Sequence, residues 1–194
     1  MSKKYELIKD DFITIDDKKL YSIRALRDFG TVREGNIGGY IESESNLSHE
    51  GTAWVCETAL IYGYARVSEH ASVYGSALVY GDAKVYGYAK VCGNARVYEG
   101  AEVYDSAKVS GDSQVYGNAK VCGNVWVDED ALIFGNAVVY GNTCVYGNAQ
   151  VFGNTEVSGN AKVYGNAKIF GNAAVHGDSW ILGDVRISGD SEIY

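Results

Sequence analysis

The sequence predicts an all-β fold, a β-helix wound from six-residue units, and three observations carry that expectation. From Val55 onward every sixth residue is Val or Ile, through Ile61, Val67, Val73 and so on to Ile181, Ile187 and Ile193, without an exception or an insertion. The residue four places later is small, usually Ala, as at Ala59, Ala65 and Ala71. Between them lies a turn signal, Gly followed by Asn or Asp.

Each place in the unit, typified by Val163-Tyr164-Gly165-Asn166-Ala167-Lys168, has a physical role. A β-branched first residue suits the middle of a short strand, side chain inward. Ala at the fifth place fits where an inward side chain near a corner has little room. Gly-Asn and Gly-Asp tolerate positive φ and read as corners. One hexapeptide is therefore one short strand and one corner. The chain divides at residue 54 into 1–54, a β-rich cap with an irregular first turn, and 55–194, the repeat. In the first part Lys4–Lys9 and Phe12–Ile15 read as strands, and Leu20–Phe29 as a strand or short helix.

The repeat resembles the hexapeptide-repeat, left-handed parallel β-helix family, whose signature is an aliphatic residue with a small residue four places on. The resemblance covers residues 55–194. It implies a left-handed triangular helix of three hexapeptides, or 18 residues, per turn. Twenty-four units then make about eight turns, a rod of roughly 38 Å at the usual strand spacing. The segment from Asp28-Phe29 through Val32, Gly35 and Gly38-Gly39-Tyr40-Ile41 resembles the N-terminal signature of a group of bacterial and prophage hexapeptide proteins, and Leu47-Ser48, Gly51 and Trp54 extend the match. A solenoid needs a cover for its apolar end, so this region reads as a cap.

The 194 residues include 24 Gly, 16 Tyr and no Pro, with a net charge of −8. That charge excludes a plain nucleic-acid binder, which needs clustered Lys and Arg. It permits a basic partner. No apolar stretch follows Ser2-Lys3-Lys4 and no run is long enough to span a membrane, so a cytoplasmic protein without a signal peptide is expected. Cys56, Cys92, Cys122 and Cys144 fit no zinc or redox spacing and read as free thiols. No metal site and no cofactor is expected.

Stacking residues 18 apart yields three faces. The first carries seven aromatics in a row: Tyr62, Tyr80, Tyr98, Tyr116, Phe134, Phe152 and Phe170, flanked by Leu60, Leu78 and Leu132. Continuous apolar patches are rare on monomers, so this face reads as an interaction surface. The alternative is that the rings only hold neighbouring turns together. The other two faces are mixed. The final core positions, Ile181, Ile187 and Ile193, with Tyr194, form an open turn whose unpaired strand groups invite end-to-end contact with a second copy.

Many members of the hexapeptide family are acyltransferases, which the resemblance implies work with acetyl-CoA-like donors at clefts between subunits of a trimer, with a His as general base. The candidate bases here are His70, His176 and His49. His70 reads as a corner residue, His176 lies on the third face near Ser158 and Tyr194, and His49 has no visible acidic partner. The coil register never breaks, so no loop projects. A self-associating interaction or structural module is the expected function, as a dimer or trimer, and the prophage resemblance points to a phage accessory role acting on a host protein. The rivals are the acyltransferase and an acidic nucleic-acid mimic, for which no carboxylate stripe is visible.

Overall fold

The computed structural model describes residues 3–194, so Ser2, in the basic start, lies outside it. The repeat forms a parallel β-solenoid of about nine turns. Each hexapeptide contributes one two-residue strand, running from Trp54–Val55 to Glu192–Ile193. Three parallel sheets result, and consecutive hexapeptides fall on different sheets. The first holds Leu60–Ile61 and every third strand after it, the second Trp54–Val55 and its successors, the third Arg66–Val67 and its successors. Paired residues are 18 apart without slippage: Ile61 sits on Val79, Val73 on Val91 and Val175 on Ile193. The count exceeds the expected eight turns because residues 37–54 already complete an irregular one.

The core is one column. The Val and Ile at the first place are buried as far as Ile187, 0% exposed along most of the rod, and so are the alanines at the fifth. Where the fifth place is polar, the hydroxyl bends to a corner carbonyl three residues back: Ser113 to Ser110 at 2.6 Å and Thr143 to Tyr140 at 2.7 Å. Thr155 is the exception, its buried Oγ1 lacking any partner.

The corners stack as tightly as the core. Gly75 has φ 71°, and a Cβ built there would lie 3.0 Å from the backbone nitrogen and oxygen of Gly93. The next residue donates its N–H to the corner carbonyl of the following turn, as from Asn94 to Gly111 at 2.8 Å. Five corners replace Gly with an acid. Glu57, Glu69, Glu99, Asp105 and Glu129 hold φ between 56° and 59°. Four of them offset that strain locally: their carboxylates accept the N–H of Gly75, Gly87, Gly117 and Gly123 one turn on, at 2.8 to 3.1 Å. Corner amides also ladder. Asn136 donates to Asn154, and Asn154 to Asn172, at 2.9 and 3.1 Å.

The N-terminal region extends the first sheet. β1 (Tyr5–Ile15) and β2 (Lys18–Ala25) form an antiparallel hairpin. Asp16 and Asp17 make its turn with φ 48° and 63°, the mirror-image geometry that suits two-residue hairpins. β2 pairs with β3 (Ile37–Ile41), which joins Leu60–Ile61 in parallel. Two expectations need correction. Lys4–Lys9 and Phe12–Ile15 are not separate strands but one, divided by a bulge in which residues 8–11 face the single Ser22. Of the two readings of Leu20–Phe29 the strand holds, but only as far as Ala25, where bends follow.

Tyr5, Ile23, Phe29 and Val32 join the same core as the coil, and Phe29 packs edge-on to Trp54 with centroids 5.3 Å apart. A Cβ on Gly38 would lie 2.5 Å from the Val55 carbonyl, and one on Gly39 2.6 Å from that of Ala59, so the glycine pair is set by close approach. Lys4 is wholly buried here. Its Nζ donates to the Ala53 carbonyl at 2.8 Å and lies 5.0 Å from the centre of the Phe29 ring.

Candidate functional site: an aromatic ladder on the first sheet

The residue after each core Val or Ile points away from the core. On the first sheet that place puts Tyr62, Tyr80, Tyr98, Tyr116, Phe134, Phe152 and Phe170 into one column. Neighbouring centroids are 4.7 to 5.2 Å apart and the planes differ by 5° or less. The centroid spacing is the strand spacing. Because carbon surfaces touch at about 3.5–4.0 Å, the rings must lean, which gives the offset stack that aromatic quadrupoles favour. The column presents ring edges outward, with four hydroxyls in its N-terminal part and bare edges in its C-terminal part.

Each ring is half-buried between its neighbours. Burial pushes the hydroxyls of Tyr62, Tyr80 and Tyr116 above their ordinary range and that of Tyr98 to about 12. Tyr98 donates to Gln114 Oε1 at 3.2 Å. At the N-terminal end Glu42 accepts the Gly63 N–H at 2.7 Å and pairs with Lys18 at 3.0 Å; its carboxyl is held below the usual range by those two contacts, against an opposing and larger single effect of burial. Leu60, Leu78 and Leu132 are half-buried beside the column, as expected. Arg96, Gln114, Gln150 and Lys168 share their row.

The end-turn residues are more open than their equivalents inside the rod. Ile181 and Ile187 are 7% and 8% exposed, Ile193 is half-buried and Tyr194 is 80% exposed, its hydroxyl donating to Glu192 at 2.7 Å. They belong to the second, first and third sheets respectively.

The histidines are not brought together. His70 sits at a corner, its Nδ1 2.9 Å from Thr52 Oγ1 and its ring stacked on Tyr88. His176 lies about six turns away, roughly 29 Å at strand spacing, with Nδ1 2.8 Å from Ser158 Oγ and its ring beside Tyr194. His49 does have an acidic neighbour, contrary to the sequence reading. Its Nδ1 accepts the Lys4 N–H at 3.2 Å, its Nε2 lies 3.5 Å from Glu44, and its ring stacks on Tyr5. The chain reversals that bring Glu44 and Lys4 to it leave no periodic signal. Among the described residues no three His, Cys, Asp or Glu side chains cluster as metal ligands, and no helix is long and apolar enough to cross a membrane. The four cysteines are free.

Fold and surface together define the class: a parallel β-solenoid with one sheet carrying a continuous aromatic column. Comparison with known proteins adds no closer assignment, since no family model matches the chain and no curated protein matches it.

Proposed function

We propose that this chain is a non-enzymatic, self-associating interaction module, a left-handed β-helix of the hexapeptide-repeat kind, and that the aromatic ladder is its contact surface. The observation that carries the reading is the unbroken column of seven half-exposed rings with three leucines beside it, on a protein whose other two sheets mix charge and polarity. Interfaces concentrate aromatic residues at their centre and draw most of their energy from a few such anchors.

The column also has a polarity that favours one arrangement. In an antiparallel pair of rods with a two-fold axis at Tyr116, Tyr62, Tyr80 and Tyr98 face the Phe170, Phe152 and Phe134 of the other copy. The hydroxyls of Tyr62, Tyr80 and Tyr98 then each meet a bare ring edge, and only the Tyr116 pair on the axis sets hydroxyl against hydroxyl. Such an isologous contact closes on itself as a dimer. The last turn, with Ile181, Ile187, Ile193 and Tyr194, is a second candidate contact, for stacking rods end to end. A host protein is the candidate foreign partner, on the strength of the prophage-like N-terminal signature.

Acyl transfer and nucleic-acid mimicry have no comparable support. Of the three candidate bases His70 and His176 are about six turns apart and His49 lies in the cap, and on the third sheet Lys84 and Lys120 flank Glu102, with Lys84 bonded to it at 2.8 Å.

The test is the mass in solution, by light scattering behind gel filtration, of the wild type and a Tyr98→Glu, Phe134→Glu variant whose circular dichroism shows the fold retained. An oligomer that the variant reduces to monomers supports the reading. A monomeric wild type across the accessible concentration range refutes self-association. A trimer unaffected by the variant returns attention to clefts between subunits.

A further inference from the structure

We propose that a cleft on the second sheet binds the guanidinium group of an arginine from a basic partner protein. The cleft has a volume of about 190 Å³ and is lined by Trp126, Asp128, Glu129, Cys144 and Tyr146. It is on a different sheet from the aromatic ladder and does not depend on that reading.

Trp126 forms its wall and is 57% exposed, unusual for so large an apolar side chain. On the N-terminal side of the ring, Lys108 places its Nζ 5.3 Å from the centroid. The same arrangement recurs at Trp180, with Lys162 Nζ 4.5 Å away. The exposed indoles of this sheet thus already serve as cation platforms for the chain's own lysines. In register, Trp126 is followed by Cys144 and then Lys162. Cys144 is short and leaves a gap, and Lys162 is turned toward Trp180, away from it. The C-terminal side of the Trp126 ring is therefore open, without a cation.

Two carboxylates border that gap. Asp128 accepts the Glu129 N–H through Oδ1 at 2.9 Å, which leaves Oδ2 free. Glu129 is the fifth of the left-handed corner acids. Its four counterparts each hold the N–H of a glycine one turn on; Glu129 makes no side-chain hydrogen bond or ion pair among the described residues and borders the cleft instead. An indole face, a tyrosine and two available carboxylates define a site for a flat cation. A guanidinium stacks on the indole and offers a fork of N–H donors to carboxylates, which a compact ammonium cannot do. A chain of net charge −8 is complementary to a basic partner, and its field draws one in.

The experiment titrates the full chain with acetyl-tetra-arginine amide and with acetyl-tetra-lysine amide by calorimetry at low salt. The proposal expects saturable binding of the arginine peptide, with the lysine peptide several-fold weaker. Trp126→Ala and Glu129→Gln should each weaken the arginine peptide by about tenfold. Both residues are exposed, so the fold survives, as circular dichroism confirms. Glu34→Gln, a remote exposed acid, should leave affinity unchanged. Absence of saturable binding overturns the proposal. So do equal affinities for the two peptides, which mean general acidity alone, and so does full affinity in the Trp126 and Glu129 variants.

Discussion

Truncating Phe134 and Phe170 to Ala separates what ring stacking contributes from what burial contributes. Phe134 sits between Tyr116 at 4.9 Å and Phe152 at 4.7 Å, whereas Phe170 touches one ring, Phe152 at 5.2 Å, and faces Ser188 on the other side. An aromatic pair contributes about 0.5–1.5 kcal/mol beyond area burial. Both rings are half-buried, so the transfer part is about half that of a fully buried Phe, on the order of 1 kcal/mol. Phe134→Ala should then cost about 2–4 kcal/mol and Phe170→Ala about 1.5–2.5 kcal/mol. The assay is urea unfolding followed by circular dichroism at two protein concentrations. Equal losses for the two variants would refute the stacking argument and leave burial alone. A midpoint that rises with wild-type concentration, and loses that dependence in Phe134→Ala, marks the ladder as an interface as well as a brace.

Two further outcomes follow from buried polar groups. Burial, with Arg27 as a lesser cause, lowers the Lys4 pKa from 10.5 to about 8. A base with a depressed folded pKa costs stability while the unfolded chain alone holds its proton or both states do; that cost is full below pH 8 and is relieved as pH rises toward 10.5. The slope is about 1.4 kcal/mol per pH unit. Cys56, Cys122 and the ladder tyrosines, raised by burial, pull the other way above pH 9. The difference between wild type and Lys4→Met isolates the lysine: between pH 8 and 9 the wild type should gain stability relative to the variant, and parallel curves would disprove the assignment. Thr155→Val replaces an orphaned hydroxyl by a methyl of the same shape and should stabilise by about 1 kcal/mol in thermal unfolding; a loss would mean that the hydroxyl has a partner in solution.

The solenoid was legible because its signal is periodic. Val at the first place, Ala at the fifth and Gly-Asn between them state strand, core and corner in every unit, and stacking by 18 assigned all seven ladder rings to one column before any coordinate. What lay outside that period was harder to see. The strand β1 was split because the bulge at residues 8–11 interrupts its alternation, whereas Asp16-Asp17 is a turn signal that could have marked where β1 reverses into β2. Lys4, a charged residue one place from the described start, gives no sequence hint of burial against Phe29. Glu44 meets His49 through a chain reversal. The acid corners carried a signal that was there to be used: an acid at the third place stands where φ is positive, and only its contact one turn on shows whether it braces the coil or, like Glu129, faces a cleft.

Those corners also fasten the two halves of the rod by different chemistry. Glu42, Glu57, Glu69, Glu99 and Asp105 fasten their turns by carboxylate to N–H bonds, all before residue 124. From Asn118 to Asn172 the corners are joined instead by amide to amide bonds, such as Asn118 to Asn136, Asn124 to Asn142 and Asn148 to Asn166, and these runs end in the last turn on the carboxylates of Asp178, Asp184 and Asp190. A carboxylate only accepts, so it ends a run of bonds, while an amide both donates and accepts and passes the run from turn to turn. Since each turn of a solenoid leans only on its neighbours, replacing one amide inside such a run opens a gap between two turns, whereas replacing a corner acid frees a single N–H.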